Sequence, residues 1–171
     1  MIDNAIVSWW GYVDDNDNDK GIEELTMWDA GTLVAGEENA EKKFIIWNNK
    51  GGSEDVPNMS ECKLRTVDSD GGLKTPFVKD KWVKVAFPIG ANPFPIGSQW
   101  NADKQDYDPV SVLINGTNTT TGMIEGKAND GTMNTSGNEK NYAVFKAILA
   151  PPETAGAGLT QAKFRVEYRI G

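Results

Sequence analysis

KFIIWNNKGG, residues 43–52, decides the fold. Phe44 and Ile46 project to one side of an extended chain and Ile45 and Trp47 to the other, and aromatic and β-branched residues of this kind favour the pleated conformation. A strand with two apolar faces has to be covered on both, so AEKKFIIWNN is expected to lie deep in a β-structure. The polar, glycine-containing tail ends it. Trp47 is expected at the edge of the paired sheets, with its indole as a cover while Asn48, Asn49 and Gly51 turn the chain.

Working outward, the same two-residue period recurs. Upstream, IEELTMWDAGTLVAG (22–36) predicts two short strand pieces around a Gly31 turn, with Leu25 and Met27 before it and Leu33 and Ala35 after it. Downstream, KGGSEDVPN reads as a loop, and ECKLRTVDSDGG alternates Cys62, Leu64 and Thr66 inward before the turn signal Asp70-Gly71-Gly72. DKWVKVAF sets Val83, Val85 and Phe87 against Trp82 and Lys84 and stops before Pro88. KNYAVFKAILAPP and TQAKFRVEYRIG are two further strands. In the last, Phe164, Val166 and Tyr168 face inward, and Arg165, Glu167 and Arg169 face solvent. Residues 88–127, rich in Pro, Gly, Asn and Thr, are expected to be a loop-rich insertion with one or two strands of its own. No segment sustains a 3.6-residue period, so the prediction is an all-β antiparallel sandwich spanning residues 22–171, preceded by an N-terminal arm, residues 1–21.

The composition narrows the function. The chain has 171 residues, a net charge of −8 and a pI near 4.6. That charge argues against a nucleic-acid partner, which would need clustered Lys and Arg. No apolar run approaches ~18 residues and the first residues lack a basic, apolar leader, so neither membrane insertion nor Sec export is expected. Cys62 is the only cysteine, which excludes an intrachain disulfide and a thiolate-built zinc site. With no histidine, the usual general base and the commonest transition-metal ligand are missing, and the expectation is a protein that is not an enzyme and carries no cofactor or metal. Carboxylate-only chemistry is left open by 25 Asp and Glu, but their spacing singles out no pair.

Several tracts are candidate sites. VDDNDNDKG (13–21) alternates Asp15, Asp17 and Asp19 as calcium ligands do, but counting from Asp15 the EF-hand's required Gly and Glu are replaced by Lys20 and Thr26, so it reads as a solvated acidic turn. Trp9, Trp10 and Tyr12 either cap the core or anchor the arm to another subunit. Trp100 and Tyr107, in the insertion, are the aromatics best placed for exposed contact, including stacking on a sugar ring; Trp28, Trp47 and Trp82 lie in or next to predicted strands and are expected to be buried. Four Asn-x-Ser/Thr triplets, at Asn58, Asn115, Asn118 and Asn134, read as Asn/Thr-rich loops.

Laid out in order, these segments resemble a known architecture. MWDAGTLVAGEENAEKKFIIWNNKGG is similar to the opening of an Ig-like module, carried here by Met27, Gly31, Val34, Gly36, Phe44, Ile46, Asn48 or Asn49, and Gly51. NYAVFKAILAPPETAGAGLTQAKFRVEY is similar to the closing hairpin of bacterial Ig-like domains. The set IIWNNKGG, DSDGG, KDKWVKV, PIG at 88–90 and 95–97, and ETAGAG followed by FRVEY resembles small virion proteins of tailed phages that infect Gram-positive bacteria, over roughly residues 24–171. The resemblance implies an accessory structural protein of the particle, as capsid decoration, neck, or tail and baseplate component. It implies assembly in the host cytoplasm in multiple copies, contacts with other virion proteins and no catalytic residues. The expected alternative is a module that binds host cell-wall glycan.

Overall fold

The computed structural model describes residues 3–88, 90–114 and 122–171; the Asn115 and Asn118 triplets lie outside them. The chain is an all-β, Ig-like sandwich of two antiparallel sheets. One sheet has seven strands in the order β2 (Ile22–Glu24), β1 (Val7–Tyr12), β3 (Lys42–Asn48), β9 (Tyr142–Leu149), β5 (Val83–Ala86), β6 (Phe94–Asn101) and β7 (Asp106–Val110). The other has three, β10 (Ala162–Ile170), β4 (Met59–Asp68) and β8 (Val112–Leu113).

The alternation read in the sequence is the alternation that packs. On β3, Phe44 and Ile46 enter the space between the sheets, where they meet Phe145 and Ala143 of β9, Val83 and Val85 of β5, and Cys62 and Leu64 of β4. Aromatic rings join the two sheets. Phe164 of β10 lies between Trp9 and Trp28, each stacked at 6.4 Å between centroids, and meets Phe44 and Phe145 edge-on at 5.5 Å. Such pairs contribute about 0.5–1.5 kcal/mol beyond the area they bury.

Trp47 does not cover a sandwich edge. It is fully buried on the outer face of the large sheet, in a second cluster with Tyr12, Ile45 and Tyr142, and Trp10, Ile22 and Met133 close over it. The chain after β3 explains this burial. Asn48 and Asn49 are also buried, and their side-chain amides hold returning backbone in place: Asn48 donates to the carbonyls of Pro57 and Ile124, and Asn49 to those of Glu54, Gly126 and Lys127. Asn141, opposite them at the start of β9, donates to the Lys127 carbonyl. These amides fasten residues 124–127 beside the end of β3, and farther along the same segment Met133 packs against Trp47's cluster.

Three further expectations differ from the structure. The segment expected as an N-terminal arm contains β1, hydrogen-bonded to β3 on one side and β2 on the other, because Trp9 is drawn into the core and Trp10 and Tyr12 onto the outer cluster. Residues 25–41 form no strand around Gly31. Leu25 and Trp28, three apart, both turn toward the core while Met27 and Val34 remain exposed, and that spacing is incompatible with a two-residue period. Within the stretch expected as an insertion, β6 and β7 complete the large sheet and β8 joins the small one. Gly97 is required in β6: a Cβ there would lie 2.2 Å from the Val78 carbonyl oxygen of the short helix α1 (Pro76–Lys79).

The loop before α1 is fixed by Asp68, buried at the end of β4. Its carboxylate accepts hydrogen bonds from the Lys74 and Thr75 N–H groups and from the Thr75 hydroxyl. Desolvation pushes its pKa up, but these bonds together outweigh that and hold it below the usual aspartate value. Because the folded-state pKa is depressed, the stability this carboxylate contributes is fully present above the unfolded value of about 3.9 and is lost as pH falls through the lower folded value. The melting temperature of the wild-type protein is therefore expected to fall more steeply below about pH 4 than that of Asp68→Asn, in thermal melts across that range. Parallel curves would remove Asp68 as the source.

Candidate interaction surfaces

Trp9, Trp10 and Tyr12, which the sequence offered either as core or as an anchor, are brought together by β1 but divided between its faces. Trp9 packs edge-on against Phe145, 6.4 Å away, inside the sandwich. Trp10 is half-buried on the opposite face, with the Lys50 ammonium 4.2 Å from its ring centroid. Tyr12 is buried, and desolvation raises its pKa; with Tyr142 it lines a groove bounded by Asn18, Asp19 and Asn134.

Trp100 and Tyr107 lie far from these, on the β6–β7 hairpin at one edge of the large sheet. They are direct cross-strand partners, with rings 5.2 Å apart and near-perpendicular, and Trp100 is 50% exposed. The hairpin is rigid for local reasons. Asn101 accepts from the Asp103 and Lys104 N–H groups and donates to Asp108, and Lys104 pairs with Asp108 at 2.7 Å. The Lys104 ammonium, with the Asn101 amide, lowers the Asp108 pKa. Trp100, Gln99 and Asn101 thus border a shallow groove of about 400 Å³ with Asp108 and Pro109 on its far side. Because Trp100 pairs with Tyr107 and Gln99 with Asp108, the two rings leave one face of the hairpin, where the indole can stack on a sugar ring, and the Gln99, Asn101 and Asp108 side chains leave the other.

The acidic turn is tied up internally: Lys20 sits 3.5 Å from Asp14 and 3.7 Å from Asp17, and Lys42 sits 3.5 Å from Asp15. Among the described residues no group of three or more His, Cys, Asp or Glu is placed to hold a metal ion, and no helix is long and apolar enough to cross a membrane. Cys62 is buried in the core, and desolvation pushes its thiol up to about 11.

A sandwich is expected to expose strand edges, but the sequence does not say which; the structure leaves the outer edge of β10 open. The strand runs nine residues, AKFRVEYRI, paired to β4 on one side only. Among the described residues no backbone hydrogen bond reaches its other side. Its register with β4 shifts between Glu167 and Arg169, where Glu61 and Cys62 together face Tyr168; Glu61 has φ 52, so the extra residue is on β4 and β10 itself stays regular. Tyr168, expected to face inward with Phe164 and Val166, is instead exposed, with Ile170, at the C-terminal end where the register shifts. The alternation of FRVEYRI marks a strand with one wet face, but which strand ends a sheet is set by the pairing of β4, about a hundred residues earlier.

No protein-family model matches the chain, and no curated protein matches it either.

Proposed function

We propose that this protein is an accessory structural component of a phage particle, held in the virion by contacts with other virion proteins and assembled there in multiple copies in the host cytoplasm. The observation that carries the reading is the open β10 edge. A long, regular edge strand without proline or a bulge of its own is a template for pairing with another chain, and proteins that work alone blunt such edges. An assembly subunit instead covers the edge with a neighbour. Its activity in this reading is binding, through backbone and side-chain complementarity.

Mass spectrometry of purified particles is expected to find the chain at a constant ratio to the major capsid protein, and antibody against it is expected to label intact particles. Its absence from particles that are otherwise complete would overturn the proposal.

A second reading is favoured by Trp100: a half-exposed indole beside Tyr107 on one face of the hairpin suits stacking on the sugar rings of a cell-wall polysaccharide. Titration with purified polysaccharide is expected, in that reading, to give a saturable change in tryptophan fluorescence that Trp100→Ala abolishes without lowering the melting temperature. No saturable change in the wild-type protein removes it.

A further inference from the structure

We propose that the partner at the β10 edge is a second copy of this chain, joined antiparallel across a two-fold axis at Tyr168 so that the two small sheets become one continuous sheet. The inference rests on the assembly reading and names its first contact.

The side-chain pattern of the strand selects that register. Two identical strands related by a two-fold axis perpendicular to the sheet pair residue by residue about one residue facing its own copy, and side chains directly opposite lie ~4.5–5.5 Å apart on the same face. Centred on Glu167, the strands would set Glu167 against Glu167 and Arg165 against Arg169, repulsive at every charged position. Centred on Val166, Arg165 meets Glu167 favourably, but Lys163 meets Arg169. Centred on Arg165, the two guanidinium groups face each other. Centred on Tyr168, Glu167 faces Arg169 of the second copy twice, Val166 faces Ile170 twice, Tyr168 faces Tyr168, and Arg165 faces Gly171. Of these registers, only the last sets no like charges directly opposite one another.

Three structural features agree with it. The exposed apolar side chains of the strand, Tyr168 at 37% and Ile170 at 49%, are the ones this register covers. The opposite end of the strand, where Phe164 lies under Trp9 and Trp28, is left outside the paired segment. The charges already present on β4 also continue the pattern, since Arg65 is paired with Glu167, and Arg169 with Glu61 at 3.1 Å. Across the seam the row reads Arg65, Glu167, then Arg169 and Glu61 of the second copy, alternating in sign throughout.

Charge exchange tests this without relying on a variant that fails to fold. By sedimentation velocity, the wild-type chain is expected to be a dimer at micromolar concentrations. Glu167→Arg and Arg169→Glu are each expected to weaken it about tenfold or more, because two symmetric pairs turn from attraction to repulsion. An equimolar mixture of the two variants is expected to form a heterodimer. One chain then carries positive charge at both positions and the other negative charge at both, so each cross-strand pair is again of opposite sign. A wild-type circular dichroism spectrum and a cooperative thermal transition for both variants show that the fold is intact, at a melting temperature lowered by the loss of the partner. A wild-type chain that stays monomeric, single variants that remain dimeric, or a mixture that stays monomeric each overturn the proposal. A monomeric chain that is nonetheless found in particles overturns this contact and leaves the assembly reading standing.

Discussion

A chain lacking residues 1–12 is expected to lose the fold altogether. Although those residues have the look of a detachable tail, β1 lies second in the large sheet, with Val7 to Gly11 paired to Asn48 to Phe44 and Trp10 to Tyr12 paired to Glu24 to Ile22. Its side chains serve both faces. Trp9 stacks on Phe164 and braces Phe145, while Trp10 and Tyr12 close over Ile45 and Trp47. A large apolar side chain contributes about 1.5–3 kcal/mol when fully buried, so buried Tyr12 with partly buried Val7, Trp9 and Trp10 supplies a large share of the roughly 5–15 kcal/mol by which a whole domain is stable. Truncation would also open β3, whose residues 44–48 are buried, as a new apolar edge prone to aggregation. The expected result is insoluble protein, or soluble protein with no cooperative thermal transition by circular dichroism. A truncated chain melting like the full one would place residues 1–12 outside the fold. For the same reason, truncation is a poor test of particle incorporation, and the charge exchange on β10 is the better one.

The second large effect is expected at Asn49. Its backbone is left-handed, with φ 61, and its buried amide donates to three carbonyls, at 2.7, 3.0 and 3.2 Å. Asn49→Ala leaves those acceptors facing a methyl group, at about 1–3 kcal/mol for a buried group left unsatisfied, and adds about 1–2 kcal/mol of left-handed strain. We expect a loss of roughly 2–5 kcal/mol in all, or ~5–20 °C in melting temperature for a domain of this size. Asn49→Gly relieves the strain but not the lost bonds, so it should recover only about 1 kcal/mol of that loss. Denaturant titration of the pair measures both parts. If Asn49→Gly matches wild type, the amide bonds contribute nothing; if Asn49→Ala does, neither part matters.

Both results turn on the difference between what is local and what is not. The identity of the strands is local. Alternation along KFIIWNN, KWVKVAF, NYAVFKAIL and AKFRVEYRI records which side chains leave water, and β3, β5, β9 and β10 lie where that alternation places them. The two apolar faces of β3 follow from Phe44 and Ile46 opposing Ile45 and Trp47, and the burial of Trp47 and Trp82 follows from their company.

Partnership is not local, because it depends on which distant segment covers each face. Trp9 and Trp10 were equally consistent with an anchor and with core until β1 was seen between β2 and β3. Asn48 and Asn49 carry turn chemistry, yet their amides are spent on carbonyls as far as 76 to 78 residues away, so their burial was invisible beside them in the chain. Of the candidate contact residues, Trp100 is half-exposed on β6 while Tyr107, its partner on β7, is partly buried, a difference that their shared loop-rich composition does not show. The β10 edge could not be read from the sequence either: FRVEYRI would be the same seven letters in the middle of a sheet. The sequence by itself determined an all-β chain and the inward face of its main strands, since a two-residue period is a property of the extended backbone. Only the tertiary structure decided strand order, and with it which backbone groups were left without a partner.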